Sequence, residues 1–195
     1  MSYRTGNSSL LLFLFTFILI LTGCVERKAD QLKRRDSPVS AELITIIKDQ
    51  EASLKSGVSD EVIRGKSIKE RQMVYQFLAQ SLLVEPTDLY HAAVVLQSTD
   101  TATCKENFML AYFMAVEASR KGFDSAKYLA ATSLDKYLVA SGVRQRYGTQ
   151  YGQDRFGRYY IMPFDTTISD HDRAGNGVPP MDSLRRVVDH LNGTH

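Results

Sequence analysis

The stretch CKENFMLAYFMAVEASRKGFDSAKYLAATSLDKYLVAS, residues 104–141, decides the fold class of this chain. Its apolar residues recur at helical spacing on both sides of a break at residues 122–124. Thr103 and Asp124 can cap the two helices, and a glycine follows each helix. A link this short predicts an antiparallel helical hairpin. Small residues on both helices would let their axes approach closely: Ala111, Ala115, Ala118, Ala126, Ala130 and Ala131.

The helical pattern continues on both sides of this hairpin. Ser37-Pro38 is a good helix start, Thr87 can cap a further helix, and Ser169 and Pro179-Pro180 precede two more. The helices expected here cover residues 38–56, 67–83, 88–98, 170–175 and 181–193. We therefore expect a mainly α protein in which residues 38–195 form a single, mostly helical domain.

Part of the hairpin resembles a known helix pair. The phrase AVEASRKGFDSAKYLAA, residues 115–131, is similar to a tetratricopeptide or Sel1-like hairpin. It occurs once, whereas repeat scaffolds need about three copies to bury a continuous core. The expected architecture is therefore a compact helical domain with helical hairpins, not a solenoid.

The segment GVRQRYGTQYGQDRFGRYYIMPFD, residues 142–165, has no helical period. Its glycines at 152 and 157 can enclose a turn between two arms, residues 146–151 and 158–162. A two-stranded hairpin is marginal by itself, so this one must pack against the helices. The sequence thus predicts a small β-hairpin or extended insertion near residues 144–163.

The N-terminal residues indicate export. An apolar run that starts at Leu10 ends in Leu21-Thr22-Gly23-Cys24, and it is shorter than the roughly 20 residues of a spanning helix. These last four residues resemble a bacterial lipobox, in which small side chains admit the protease and the Cys thiol accepts a diacylglycerol. We expect a lipoprotein signal peptide at residues 1–23 and lipidation of Cys24. The alternative is an uncleaved N-terminal helix that ends in a Cys by chance.

Acylation of Cys24, palmitate included, would place the mature chain at a membrane. Residues 24–37 are polar and mixed in charge, which is typical of a flexible tether. Val25, not Asp, follows the Cys, which favours the outer membrane and a domain that faces the periplasm. Cys104 then has no intrachain partner, so no internal disulfide is expected.

Composition argues against several classes of partner. The 24 Lys and Arg nearly balance the 22 Asp and Glu, so nucleic acid is not expected. The four His residues lack the spacing of a metal site. No phosphate loop, nucleophile elbow or zinc-protease motif occurs, so neither a metal nor a cofactor is expected.

Residues 134–150 resemble the signature of an uncharacterised bacterial family, a domain of unknown function with a Gln-x-Tyr-Gly-Thr-Gln loop. The matching parts follow in order: Asp49-Gln50, Tyr90-His91-Ala92-Ala93, Gln97, Leu134 to Leu138, Gly142, Gln145 to Gln150, Pro163-Phe164-Asp165, Arg173 and Gly177 to Pro180. Lys136 stands where that family usually has Arg, and Ser98 where it often has His. The resemblance implies a fold and carries no established activity.

Two kinds of site can be built from the polar residues. A catalytic site would use His91 as a general base near neutral pH, together with Asp135. The competing interpretation of His91 is a hydrogen-bonded core residue on an apolar helix. A ligand-binding or structural loop would use the residues in and near the 144–150 segment: Arg144, Gln145, Tyr147, Gly148, Thr149, Gln150 and Arg173.

The loop residues admit two interpretations. In the structural one, Asp135 pairs with an Arg and Gln150 hydrogen-bonds the loop backbone. In the binding one, four arginines interleaved with five aromatic residues grip a glycan, a peptide or an anionic headgroup: Arg144, Arg146, Tyr147, Tyr151, Arg155, Phe156, Arg158, Tyr159 and Tyr160.

The sequence favours an exported, membrane-anchored lipoprotein that acts as an accessory or binding protein of the cell envelope. Its expected partner, besides the membrane, is an envelope protein or a glycan. The alternative is a hydrolase-like enzyme with a polar site built from His91 and the 144–150 loop, so an enzymatic role stays open.

Overall fold

The computed structural model describes residues 37–56, 60–98 and 104–193. The expected signal peptide at residues 1–23, the lipidated Cys24 and the tether up to residue 36 lie outside these ranges. Within them, no helix is both long enough and apolar enough to cross a membrane.

Helices dominate the described residues, and the expected mainly α fold with a small β-hairpin is confirmed. The helices are α1 (Pro38–Lys55), α2 (Asp60–Ala79), α3 (Pro86–Gln97), α4 (Glu106–Arg120), α5 (Ala126–Ala140), α6 (Asp170–Gly175) and α7 (Met181–Leu191). Two strands, β1 (Tyr151–Gln153) and β2 (Tyr159–Ile161), form an antiparallel pair between α5 and α6.

Polar side chains begin α1 and α3, two of the helices that carry the core. Ser37 Oγ accepts a hydrogen bond of 2.9 Å from the Ser40 N–H in the first turn of α1. The same hydroxyl donates to the Asp88 carboxylate, which ties α1 to α3. The expected cap at Thr87 is wrong, because Glu85 is the N-cap of α3 and forms a capping box with Asp88.

Two other boundaries differ from expectation. α2 occupies Asp60–Ala79 instead of residues 67–83, because the helix accommodates Gly65 in its interior and Ser81 leaves it with a φ of 55°. Ser125, and not Asp124, occupies the N-cap position of α5. The expected cap Thr103 lies outside the described residues.

The main core lies among α1, α3, α4 and α5. α4 and α5 pack against each other as a helical hairpin, and α3 packs against α4 and α1. The alanines of the hairpin are buried at these contacts, so the helix axes can approach closely. The largest fully buried apolar side chains of the described residues are Phe108, Leu43, Leu96, Leu184, Val74 and Val95.

A second, smaller cluster joins α5 to the segment that follows it and to α7. Its buried members are Ala131, Tyr147, Val178, Met181 and Leu184. This packing attaches the aperiodic segment to the helices, as a marginal hairpin requires.

The β-hairpin formed by β1 and β2 is shorter than expected. Tyr151 pairs with Ile161 and Gln153 with Tyr159, whereas longer arms were expected. Residues 145–150 do not extend the sheet, because most of their backbone N–H groups bond to side chains instead. Gln145 forms a single parallel bridge with Phe164.

Candidate functional site

The carboxylate of Asp135, which is fully buried on α5, organises the loop that follows this helix. Oδ1 accepts hydrogen bonds from the N–H groups of Arg146 at 2.7 Å and Tyr147 at 3.0 Å. Oδ2 accepts from Thr149 twice, at 3.0 Å from its N–H and at 2.8 Å from its hydroxyl. We call this arrangement, Asp135 with residues 145–150, the loop clamp.

The electrostatics of the loop clamp are those of a buried carboxylate held by neutral donors. Burial raises the pKa of Asp135, and the hydrogen bonds from the loop oppose that rise. The expected pairing of Asp135 with an Arg side chain is wrong, because backbone N–H groups and the Thr149 hydroxyl satisfy both of its oxygens. The guanidinium of Arg146 lies instead over the Tyr147 ring, 5.6 Å from its centroid.

Gln145 is the second buried element of the loop clamp. Its Nε2 donates to the carbonyl oxygens of Gln150 and Met162, both at 2.9 Å. Its Oε1 accepts from the Gln150 N–H at 2.7 Å. The Gln150 side chain is held less closely, since its Nε2 lies 2.9 Å from Thr149 Oγ1 and 3.4 Å from the Thr132 carbonyl oxygen. The expected hydrogen bond of the Gln150 side chain to the loop backbone is wrong, because the Gln145 side chain makes those bonds and fixes the path of the loop.

Arg173 joins the loop clamp to the C-terminal helices. Its buried guanidinium donates from Nε to the Tyr147 carbonyl at 3.0 Å and from Nη1 to the Ile168 carbonyl at 2.7 Å. Nη1 also pairs with Asp170 Oδ1 at 3.1 Å, and that oxygen accepts from the Met181 N–H at 2.8 Å. A guanidinium suits this position because its donors diverge in one plane toward separate carbonyl oxygens.

Gly148 lies where the loop passes closest to α7. Its φ is +87°, and a Cβ placed on it would come within 2.8 Å of Met181 Cε. The positive φ favours glycine here, whereas Met181 Cε ends a flexible side chain that can move away from an added methyl.

His91 takes part in a different contact, which the sequence did not indicate. Its Nδ1 lies 2.7 Å from Ser40 Oγ on α1, and its ring meets the Tyr90 ring edge-on at a centroid distance of 5.4 Å. A Ser–His hydrogen bond is the pattern of an activated nucleophile. Ser40, however, is fully buried, so a substrate has no access to its hydroxyl.

A different residue of α3 connects this helix to α5. Gln97 Nε2 donates to the hydroxyls of Thr132 at 2.6 Å and Ser133 at 3.1 Å. Gln97 is six residues beyond His91, which is about 9 Å along a helix axis. The structure thus places His91 at the α1 contact, and it places Asp135 and Gln150 in the loop clamp.

Lys136 stands where the resembled family has Arg. Its Nζ donates to the Gln97 carbonyl at 2.9 Å and lies 5.5 Å from the centroid of the Phe108 ring. Burial lowers its pKa to about 8. The Gln97 carbonyl needs only one donor, so the Lys136 ammonium group can make this hydrogen bond without the several donors of a guanidinium.

The tip of the β-hairpin, residues 154–158, faces outward and exposes Arg155, Phe156 and Arg158, three of the arginine and aromatic residues of the expected binding loop. Asp154 Oδ1 accepts from the N–H groups of Phe156 at 2.8 Å and Arg158 at 3.0 Å. The side chain of Arg158 pairs with Asp154 Oδ2 at 2.9 Å. Arg155 lies over the Phe156 ring, and the ring is 68% exposed. Sequence reasoning missed Asp154, although an Asp two residues before the N–H it accepts is a common turn pattern.

The described ranges contain no group of three His, Cys, Asp or Glu side chains that could hold a metal ion. An open cavity of about 330 Å³ lies between α6 and α7. Phe164, Ile168 and Met181 line it, and its charged residues Arg173 and Arg185 pair with Asp170 and Asp182. Arg144 is exposed beside the loop clamp, and Cys104 is free and partly exposed.

Comparisons of the chain with protein-family models, with curated proteins and with solved structures find no match. The resemblance of residues 134–150 to a domain of unknown function therefore stays a prediction.

Proposed function

We propose that this protein is an exported, lipid-anchored protein of the cell envelope that faces the periplasm and binds another envelope component. The observation that carries the binding role is that residues 142–165 fall into two parts, one whose polar side chains are buried and one whose side chains are exposed. The buried polar side chains of the loop clamp bond within the protein, whereas Arg155, Phe156 and Arg158 are exposed at the hairpin tip. The loop clamp then serves to hold a binding element in place.

The proposed anchor is the lipidated Cys24 of the Leu21-Thr22-Gly23-Cys24 motif. Acyl chains on a terminal Cys hold a protein at a bilayer by about 0.8 kcal/mol for each buried methylene group. The outer membrane is the favoured location, because Val25 follows the Cys.

The hydrolase-like alternative has less support. It requires His91 and the 144–150 loop in one accessible site. The hydrogen bond of His91 to Ser40 leads to α1, and that hydroxyl is buried. Asp135, its other candidate residue, already accepts four hydrogen bonds shorter than 3.1 Å from the loop.

Metabolic labelling with a palmitate analogue tests the anchor. We expect the natural chain and a Cys104→Ser variant to incorporate the label and to fractionate with membranes. A Cys24→Ser variant should incorporate none. Equal labelling of all three chains, or of none, would contradict the proposal.

Photo-cross-linking in cells tests the binding role. A photoreactive residue in place of Phe156 should form adducts with an envelope component. The same residue in place of Phe113, which is 59% exposed on α4, is the matched control and should not. Equal adduct yields at the two positions would argue against a binding element at the hairpin tip.

A further inference from the structure

The hairpin tip, residues 154–158, is held in one shape by its own hydrogen bonds. The Asp154 N–H donates to the Arg158 carbonyl at 2.9 Å, and the Gly157 N–H donates to the Asp154 carbonyl at 3.0 Å. The Asp154 carboxylate closes the turn from inside by accepting two further N–H groups. Phe156 is therefore presented outward by a preorganised turn, so its contact with a partner requires little ordering of the chain.

Cations surround this exposed ring. The guanidinium carbons of Arg155 and Arg158 lie 4.6 Å and 5.5 Å from the Phe156 ring centroid. Arg158 is neutralised by Asp154, whereas Arg155 has no carboxylate partner in the part of the chain that the structure describes. The tip thus combines one apolar side chain with a net positive charge.

A second aromatic residue stands on the same hairpin. Tyr160 is 42% exposed, and its ring lies over Gly152 on the paired strand, within 2.9 Å of where a Cβ would be. An aromatic ring with a polar end is the side chain that best suits the boundary between apolar and aqueous phases.

We propose that the hairpin tip docks on the anionic headgroups of the membrane to which the protein is anchored, with Phe156 inserted between lipids and Arg155 against phosphate. This inference rests on the proposed function and names the component bound at the tip. Insertion of one aromatic side chain beside a cation is the pattern of an interfacial anchor. An arginine close to an anionic bilayer strengthens such a contact about fivefold.

The geometry favours a membrane over the two other expected partners, an envelope protein and a glycan. A stable protein interface needs about 800 Å² from each partner, far more than the ~200 Å² that one Phe can bury. A glycan would stack on the face of the ring, where the Arg155 and Arg158 guanidiniums already lie. A bilayer requires no large area, and its phosphates offer the two guanidiniums new acceptors as they leave the ring faces and the ring inserts. Moreover, an anchored domain meets it at a high effective concentration, so a weak contact is still populated.

A single tryptophan can report this contact, because the chain contains no Trp. Phe156→Trp and the control Phe113→Trp would be introduced separately into the chain, purified from membranes and reconstituted in vesicles. With phosphatidylglycerol in the vesicles, the emission of the Phe156→Trp chain should move to shorter wavelength, and brominated acyl chains should quench it. The Phe113→Trp chain should show neither change. Arg155→Gln in the Phe156→Trp chain should lower the ratio of inserted to free tip about fivefold.

The outcomes that overturn the inference are distinct from those that overturn the anchor. If the Phe156→Trp chain sediments with the vesicles but its emission is typical of water, docking of the tip is refuted and the anchor stands. An equal emission shift of the Phe156→Trp chain in vesicles of phosphatidylcholine alone would refute recognition of anionic headgroups by this tip. A matching emission shift of the Phe113→Trp chain would refute it as well. If Cys24→Ser in the Phe156→Trp chain leaves the shift on anionic vesicles in place, the tip is supported without the lipid anchor.

Discussion

Replacement of Asp135 by Asn is the most direct test of the loop clamp. Asn keeps the shape of the side chain and exchanges one acceptor oxygen for an amide NH2 donor. If the amide nitrogen takes the Oδ2 position, this donor and the Thr149 N–H face each other at 3.0 Å, and the N–H has no acceptor. The Thr149 hydroxyl can rotate and accept a hydrogen bond from the amide instead. With the nitrogen at the Oδ1 position, the Arg146 and Tyr147 N–H groups both lose their closest acceptor.

The orientation with the nitrogen at the Oδ2 position costs less free energy, and it leaves one buried N–H without an acceptor. A buried donor without a partner costs about 1–3 kcal/mol. The loss of charge-assisted hydrogen bonds adds to this cost, and removal of a buried charge offsets part of it. We expect the free energy of unfolding to fall by about 1–3 kcal/mol. For a domain of this size, each kcal/mol moves the thermal midpoint by about 2–4 °C.

The assay is thermal and urea unfolding followed by circular dichroism. Asp154→Asn is the matched control, because Asp154 also accepts two backbone N–H groups of its own loop. Its side chain is 29% exposed, so water can replace the lost acceptor, and solvent screens the surface ion pair with Arg158. An unchanged midpoint for Asp135→Asn, or an equal fall for both variants, would refute the assignment of the loop clamp to Asp135.

Three further comparisons test neighbouring features by the same unfolding assay. Gly148→Ala and Gly157→Ala should destabilise by similar amounts, about 1–2 kcal/mol, because both glycines have positive φ and the atom nearest an added methyl at 148, Met181 Cε, ends a flexible side chain that can shift; a much larger loss at 148 would show that Met181 is held in place. Gln145→Ala should cost more than Gln150→Ala, since the Gln145 side chain makes three short bonds to the loop backbone and the longer of the two Gln150 bonds is 3.4 Å; the reverse order would contradict the contacts. Because burial lowers the pKa of Lys136 to about 8 from 10.5, the unfolded chain binds more protons between these values. The free energy of unfolding should therefore rise with pH in that window, and Lys136→Met should remove this rise.

The sequence predicted which residues form the candidate site, but it did not predict the hydrogen bonds that they make. The 144–150 segment could be singled out because it lacks a helical period and is dense in Arg, Gln, Tyr and Gly. That Asp135 bonds to backbone N–H groups instead of an Arg side chain has no signature in the sequence, since every non-proline residue carries the same N–H. The Ser40–His91 contact was missed because its partners are 51 residues apart and lie on different helices.

The amino-acid sequence by itself determined the approximate positions of the helices, the helical hairpin of residues 104–141 and the aperiodic segment after it. The physical reason is that helical periodicity arises between neighbours three or four residues apart, so it can be read locally. The tertiary structure alone decided which donors satisfy Asp135 and Gln145, why Gly148 lies against α7 and that Phe156 faces outward at the hairpin tip. These features depend on how distant segments meet around the buried side of α5, and such meetings are set by packing and hydrogen-bond satisfaction over the whole domain.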